Sequence, residues 1–442
     1  MSGGVYGVGK SHRALLLGRL VLLLLVLALL LLPACQAGGV GGILGQEASS
    51  YRFSLVRWEI QNLPAKLVES LLGLESIPPS EERGAVLDRF FELGAELDRL
   101  EGVLAQEVAL HGAQGAEVTY IEDQMKVARK DYEALAPKVE AIIEHEIERE
   151  LGDEGLGFHF ISWNIIFPPV LFVFERLPKM LIVSPRERVE RLDDMLLSPN
   201  MTIAEIETLE DCILQKHNLS AIVESLGGYS TYPSMVMERM SLYGSVATAA
   251  HEWIHAYLFF YPLGQAYNKG GVMSELNETV ADMVGNKIAH SISRTYNLEP
   301  PPPQPSAESE KTFDFAAEMR ETRVTLDRIL AEGRVEEAER YLEERRQVFI
   351  DNGYYIRKLN QAYFAFHGTY ALSPTSVSPV ARQLEELHTY LPNLGEFLAA
   401  VRRASTYDKF LAVLAEKRAQ HSKLEGGLWL KPQVTEAATL IG

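Results

Sequence analysis

Residues 246–260 read VATAAHEWIHAYLFF, an apolar run free of Pro and Gly in which two histidines and a glutamate are embedded. Nothing else in the chain restricts its folding as much. An ionised carboxylate and two imidazoles left unpaired among Ala, Trp, Ile and Tyr would cost several kcal/mol, so the run must form a helix whose polar trio is satisfied by something else. His251 and His255 are four residues apart, so they project from one helix face about a turn apart. That is the separation at which two imidazoles grip one metal ion. Glu252 lies between them, where it can touch a metal-activated water without binding the metal.

A third ligand is offered by GGVMSELNETVADMVGNKIAH downstream. Glu278 and Asp282 fall one turn apart on a second predicted helix. Glu278 can complete a triad with His251 and His255, and Asp282 can orient a ligand histidine by accepting its second ring N–H. Glu275, three residues earlier, is a rival third ligand that the residues alone leave open.

H-E-x-x-H followed by N-E-x-x-x-D resembles the gluzincin group of metallopeptidases, typified by thermolysin and the zinc aminopeptidases, from Gly227 to about His290. Nineteen residues separate His255 from Glu275, a spacing like thermolysin's, and Glu278 lies three further on. The resemblance implies one Zn2+ per chain held by His251, His255 and Glu278. It implies Glu252 as general base, Asp282 behind a histidine, and peptide-bond hydrolysis by metal-activated water. It also implies an oxyanion donor, a Tyr or His from a later helix. KLNQAYFAFHGTYA offers Tyr363, His367 and Tyr370 at i, i+4 and i+7; His367 and Tyr370 are the expected pair, and an aromatic core face is an equal reading of the same stretch. An edge strand for substrate is expected at GGYSTYPSMV. It lacks the G-x-M-E-N pattern of the zinc aminopeptidases, which leaves exopeptidase activity unsupported.

At the N-terminus, Lys10, Arg13 and Arg19 precede LVLLLLVLALLLLP, short beside the roughly 20 residues that span a bilayer. Leu32-Pro33-Ala34-Cys35 resembles a bacterial lipobox, with Pro33 an unusual occupant, and implies acylation of Cys35 after cleavage. An uncleaved signal anchor is the other reading. Either way the chain is expected outside the cytoplasm, held at the membrane through residues 1–34 and a Gly-rich tether over 35–50.

The expected fold is α+β and predominantly helical. A helical region covers 51–157, and a gluzincin-like core of a small sheet and the two motif helices covers 158–298. A Pro-rich linker follows at 299–310, then a helical region over 311–442 that completes the cleft. IIFPPVLFVFERLPKMLIVSPRE reads as two strands, with GGYSTYPSMVM a further extended piece of the same sheet. A net charge of −18 over 442 residues opposes binding to nucleic acid phosphates, so the expected partners are a peptide or protein substrate and the membrane. Of the two cysteines, Cys212 reads as an inert thiol, and His290 as a helix-surface or capping histidine. Two other classes fit the same residues: an envelope lipoprotein scaffold with a structural or degenerate metal site, and a zinc hydrolase of a non-peptide amide.

Overall fold

Amphipathic spacing in the N-terminal third builds helices α1 (Leu55–Leu72), α2 (Ser80–His111) and α3 (Ala116–Asp153). Leu87, Phe90, Leu93 and Leu97 of α2 are buried with Tyr132, Val139, Ile142 and Ile147 of α3, and Phe90 stacks on Tyr132 at 4.2 Å between ring centroids. The computed structural model describes residues 44–72, 77–111, 115–160, 163–296, 313–368 and 378–428. Residues 1–34, Cys35, Tyr370 and the Pro-rich linker lie outside them. Leu44 and Ala48, assigned to the tether by sequence, are instead buried against the sheet and helix that follow.

A short hairpin, β1 (Phe158–Phe160) and β2 (Trp163–Ile165), leads to β3 (Phe172–Glu175), β4 (Lys179–Pro185) and β5 (Asp193–Leu197). Helix α4 (Ile203–His217) starts on a capping box of Thr202 and Glu205 and stops at Asn218, which takes the left-handed conformation at φ 55°. It is followed by β6 (Leu219–Ser225), β7 (Gly228–Tyr229) and β8 (Ser234–Met237). Among the described residues the strands form not one sheet but a hairpin and two three-stranded sheets, ordered β3-β8-β7 and β5-β4-β6. The two strands expected in one small sheet, β3 and β4, therefore part company. β4 is buried along nearly its whole length and takes antiparallel partners on both sides, β5 and β6, which the sequence reading passed over. β5 opens on two aspartates, residues depleted in strands, and so carries little strand signal of its own.

The motif helices follow as α5 (Leu242–Leu258) and α6 (Val272–Thr295), then α7 (Phe315–Ala331), α8 (Val335–Asp351), α9 (Gln361–His367), α10 (Val380–Thr389), α11 (Leu394–Val401) and α12 (Tyr407–Leu428). The chain is thus α+β and predominantly helical. One buried cluster runs through α2, α3, β3, α5, α6 and α10 to α12, so the terminal helices share a core with the motif helices. At the far side, buried Glu210 of α4 binds Arg357 at 2.6 and 2.9 Å and Lys358 at 2.9 Å, fixing the segment ahead of α9 against β6.

The outer edge of β3 is closed without a strand. Glu148, Glu144 and Glu140 of α3 accept the backbone N–H groups of Val170, Phe172 and Phe174 at 3.1, 2.9 and 2.8 Å. The match is geometric: four helical residues rise about 6 Å and two strand residues about 6.6 Å. Lys66 of α1 reaches Glu140 at 2.7 Å and Glu144 at 3.1 Å in this dry site. One ammonium cannot neutralise two carboxylates there, and burial pushes the Glu144 carboxyl up to about 7 against the pull of Lys66 and the Phe172 N–H. A carboxyl raised on folding stabilises in full below its ordinary pKa, and that contribution is lost as pH rises through about 7. Denaturant stability should therefore fall by on the order of 3 kcal/mol between about pH 4.5 and pH 8, and Glu144→Gln should flatten that slope. An unchanged slope in the variant would place the pH dependence elsewhere.

Candidate metal centre

Helix α5 starts where the Ser241 hydroxyl accepts the N–H of Gly244 at 3.1 Å, and it buries Val246, Ala249, Ala250, Trp253, Ile254 and Leu258 in the shared core. Helix α6 packs along it at close range. A Cβ on Gly285 would meet the Ala247 carbonyl oxygen at 2.5 Å and the His251 backbone nitrogen at 3.3 Å, so only glycine admits this approach. That contact sets Glu278, two turns earlier on α6, against the histidines of α5.

The geometry at the junction is specific. His251 Nδ1 lies 2.9 Å from Asp282 Oδ1, and His255 Nδ1 lies 2.8 Å from Asn277 Oδ1, whose amide group donates to the Leu263 carbonyl at 3.4 Å. Both Nδ1 atoms therefore carry their proton toward an acceptor, which leaves both Nε2 atoms with lone pairs in the neutral rings. Those atoms face each other at 3.0 Å, and Glu278 Oε2 stands 3.3 and 3.4 Å from them. Buried Oε2 has no hydrogen-bond partner of its own, and Oε1 is held by the Tyr267 hydroxyl at 2.6 Å. Three acceptor atoms converging at 3.0–3.4 Å form a set able to share a cation, a metal ion or a proton on one of the rings. Zinc with bonds of roughly 2.0–2.1 Å spaces its tetrahedral ligands by about 3.3 Å, so the donor set fits that ion.

The electrostatics reflect the same deficit of positive charge. Burial works against a charged His251, but Asp282 and Glu278 outweigh it and raise the ring well above its ordinary value. Glu278 shows the converse: burial opposes its charge, and the two histidines prevail and hold it well below the carboxylate range. Glu252 is pushed up by burial, with the histidines opposing. Its carboxylate comes within 4.8 Å of the ligand atoms of His251 and His255. Glu278 is nearer to both, so of the two glutamates it is the better placed to join the histidines on an ion.

No protein-family model, curated protein or solved structure matches the chain.

A cavity of about 900 Å³ opens over His251, Glu252, His255 and Glu278. Glu275 also lines it. His367, expected as an oxyanion donor, instead faces Glu224 at 3.9 Å and packs on the Tyr363 ring at 4.3 Å. The reason is local: α9 ends at His367 with Gly368 as its cap, and this short helix presents Phe364, Phe366 and Gly368 to the cavity, not Tyr363 or His367. Cys212 is partly buried with its thiol on Glu47 at 3.2 Å, and His290 is exposed on α6.

Two residues of the centre escaped the sequence reading. Asn277 stood in the recognised N-E-x-x-x-D pattern, which was the available signal, but its role as partner of His255 was not read from it; Tyr267 sits in the connection between the helices, where no periodicity marks it. Burial and the adjoining Glu278 carboxylate keep the Tyr267 hydroxyl protonated, so it remains a donor. Tyr267→Phe should free Glu278 to turn and weaken zinc affinity roughly 10- to 100-fold in a competitive chelator titration. Unchanged affinity would mean that packing alone holds the carboxylate.

Proposed function

We propose that this chain is a zinc-dependent peptidase of gluzincin type, tethered outside the cytoplasm through its N-terminal segment with Cys35 as the lipidation site. The observation that carries the reading is the convergence of His251 Nε2, His255 Nε2 and Glu278 Oε2 beside a buried glutamate that is not one of the three. The donor set of two imidazoles and one carboxylate matches catalytic zinc, which keeps a fourth position for water or substrate. Zinc held there supplies Lewis-acid chemistry, polarising a scissile carbonyl and acidifying a water.

The rest of the chemistry belongs to the chain. Glu252, with its pKa raised by burial, takes the water's proton and returns it to the departing amine. Asp282 and Asn277 keep both imidazoles in the tautomer that presents Nε2. β7 is the edge strand of its sheet and lines the cavity with Gly228 and Tyr229, ready to pair with an extended backbone. Among the described residues no helix is long and apolar enough to cross a membrane, so the proposed tether rests on the sequence of residues 1–35.

Elemental mass spectrometry of the purified full chain tests the centre. The expected result is about one zinc per chain, lost in Glu278→Ala and kept in Glu275→Ala. A folded protein that takes up no zinc when supplied with it would overturn the proposal.

A further inference from the structure

The described chain enters the fold at one end of the β5-β4-β6 sheet. Leu44 is buried in the same apolar cluster as Leu197, the last residue of β5. Arg52 bridges to that Leu197, which on its other side pairs with Lys179 at the start of β4. Helix α1 begins beside this end of the sheet: Trp58 is buried with Leu177 and Met180 and gives its indole N–H to Glu175 at 2.9 Å. The entry segment, the first turns of α1 and residues 175–180 are therefore neighbours.

What gathers there is cationic. Residues 48–58 hold Arg52 and Arg57 and no acid, and residues 176–182 hold Arg176 and Lys179 and no acid, in a chain with 60 acids against 42 bases. Arg52, Arg57 and Arg176 are exposed, and among the described residues none of the three forms an ion pair. Lys179 reaches the Ser225 hydroxyl at 3.5 Å. The flanking acids are turned to other groups, Glu175 to Trp58 and the Arg176 N–H, Glu59 to the Thr231 hydroxyl. Among these cations Val56 and Ile60, one turn apart on α1, stand 55% and 69% exposed. Branched apolar side chains set among arginines suit a surface that is negative outside and hydrocarbon beneath.

The position of Cys35 says which surface this is. Leu44 lies nine residues after it, and nine residues reach at most about 30 Å, so a chain held by Cys35 keeps this end of the sheet beside the bilayer. A net charge of −18 repels the molecule as a whole from anionic lipid, and that field fades over about 8 Å at physiological salt. Close approach is favourable only for a face whose cations arrive first.

Resting on the lipid tether proposed above, we infer that Arg52, Arg57, Arg176 and Lys179, together with Val56 and Ile60, form a face that docks on an anionic phospholipid surface. The tether keeps the chain at the membrane, and this face sets how the chain lies on it. Ser225, which Lys179 touches, lines a cavity of about 300 Å³ that shares His251 and Glu252 with the larger one, so the docked face runs to the rim of the proposed centre.

The test places the full chain on vesicles of phosphatidylcholine, with and without about one-third phosphatidylglycerol, and reads hydroxyl-radical labelling by mass. Labelling of Val56 and Ile60, relative to exposed Tyr120 and Tyr355, should fall at least roughly threefold on the anionic vesicles alone and recover in high salt. Each cation near such a surface is worth roughly a fivefold change in the docking equilibrium, so Arg52→Gln/Arg57→Gln/Arg176→Gln should lose on the order of a hundredfold and label alike on both vesicles. A chain that floats with both vesicles but labels equally on them would overturn the inference and leave the tether standing. Protection that needs no vesicle and grows with protein concentration would give the face to a second copy and overturn it too. A chain that floats with neither vesicle would remove the tether and the inference together.

Discussion

Gly285→Val is expected to abolish the proposed zinc binding and to lower the protein's stability by about 2–3 kcal/mol. The first atom added at this position would lie 2.5 Å from the carbonyl oxygen of Ala247, with the Cβ and backbone nitrogen of His251 both at 3.3 Å. The oxygen and the nitrogen belong to the backbone of α5, which cannot rotate aside as a flexible side chain would, and interiors are packed too densely to absorb the strain locally. Helix α6 must therefore lift. Glu278 rides on the same helix, two turns away, and would move off the two imidazoles whose Nε2 atoms it now approaches to 3.3 and 3.4 Å. Zinc content and the denaturation midpoint check this together, with Gly285→Ala as the milder variant should valine prevent folding. Folded variants with wild-type zinc affinity would show that the helix contact does not set the ligand geometry.

Glu252→Gln is expected to do the opposite, keeping the proposed zinc and losing the proposed hydrolysis. Glutamine preserves the shape of a side chain wedged beside Gly228 but cannot accept a proton, so hydrolysis should fall by roughly 100- to 10,000-fold or more. Zinc stoichiometry should stay at that of the wild type because Glu278, not Glu252, approaches the two Nε2 atoms. The same variant separates the reading from a lipoprotein scaffold with a structural metal, which has no use for a base at this position. Peptide cleavage at the wild-type rate by Glu252→Gln would mean that any activity arises elsewhere.

The residues that were legible in advance are those for which helical periodicity turns spacing into geometry. His251, Glu252 and His255 lie on one helix, Glu278 and Asp282 on another, and a turn's separation fixes where each pair points. Asn277 was visible as a residue but not as a partner of His255, because an amide serves either as donor or as acceptor and only its contact with Leu263 settles which atom faces the ring. Tyr267 was invisible, since loop residues carry no repeating signal. The sheets were misjudged for a related reason: β4 pairs with β6 some forty residues later, a long-range choice that local propensity does not encode. His367 does lie on the helix expected of it, but on the face that packs on Tyr363 near Glu224 and not on the one that lines the cavity, and periodicity alone could not tell those faces apart.

The row of glutamates on α3 also bears on traffic at the sheet. An exposed strand edge attracts any extended chain, and a sheet with two bare edges offers a visiting polypeptide two berths. By giving Val170, Phe172 and Phe174 side-chain acceptors, Glu148, Glu144 and Glu140 take the β3 berth out of service. Within that sheet a guest strand is left with β7, which runs beside Glu252. Under the proposed peptidase reading this removes a decoy: chain captured at the far edge would be held without being cut.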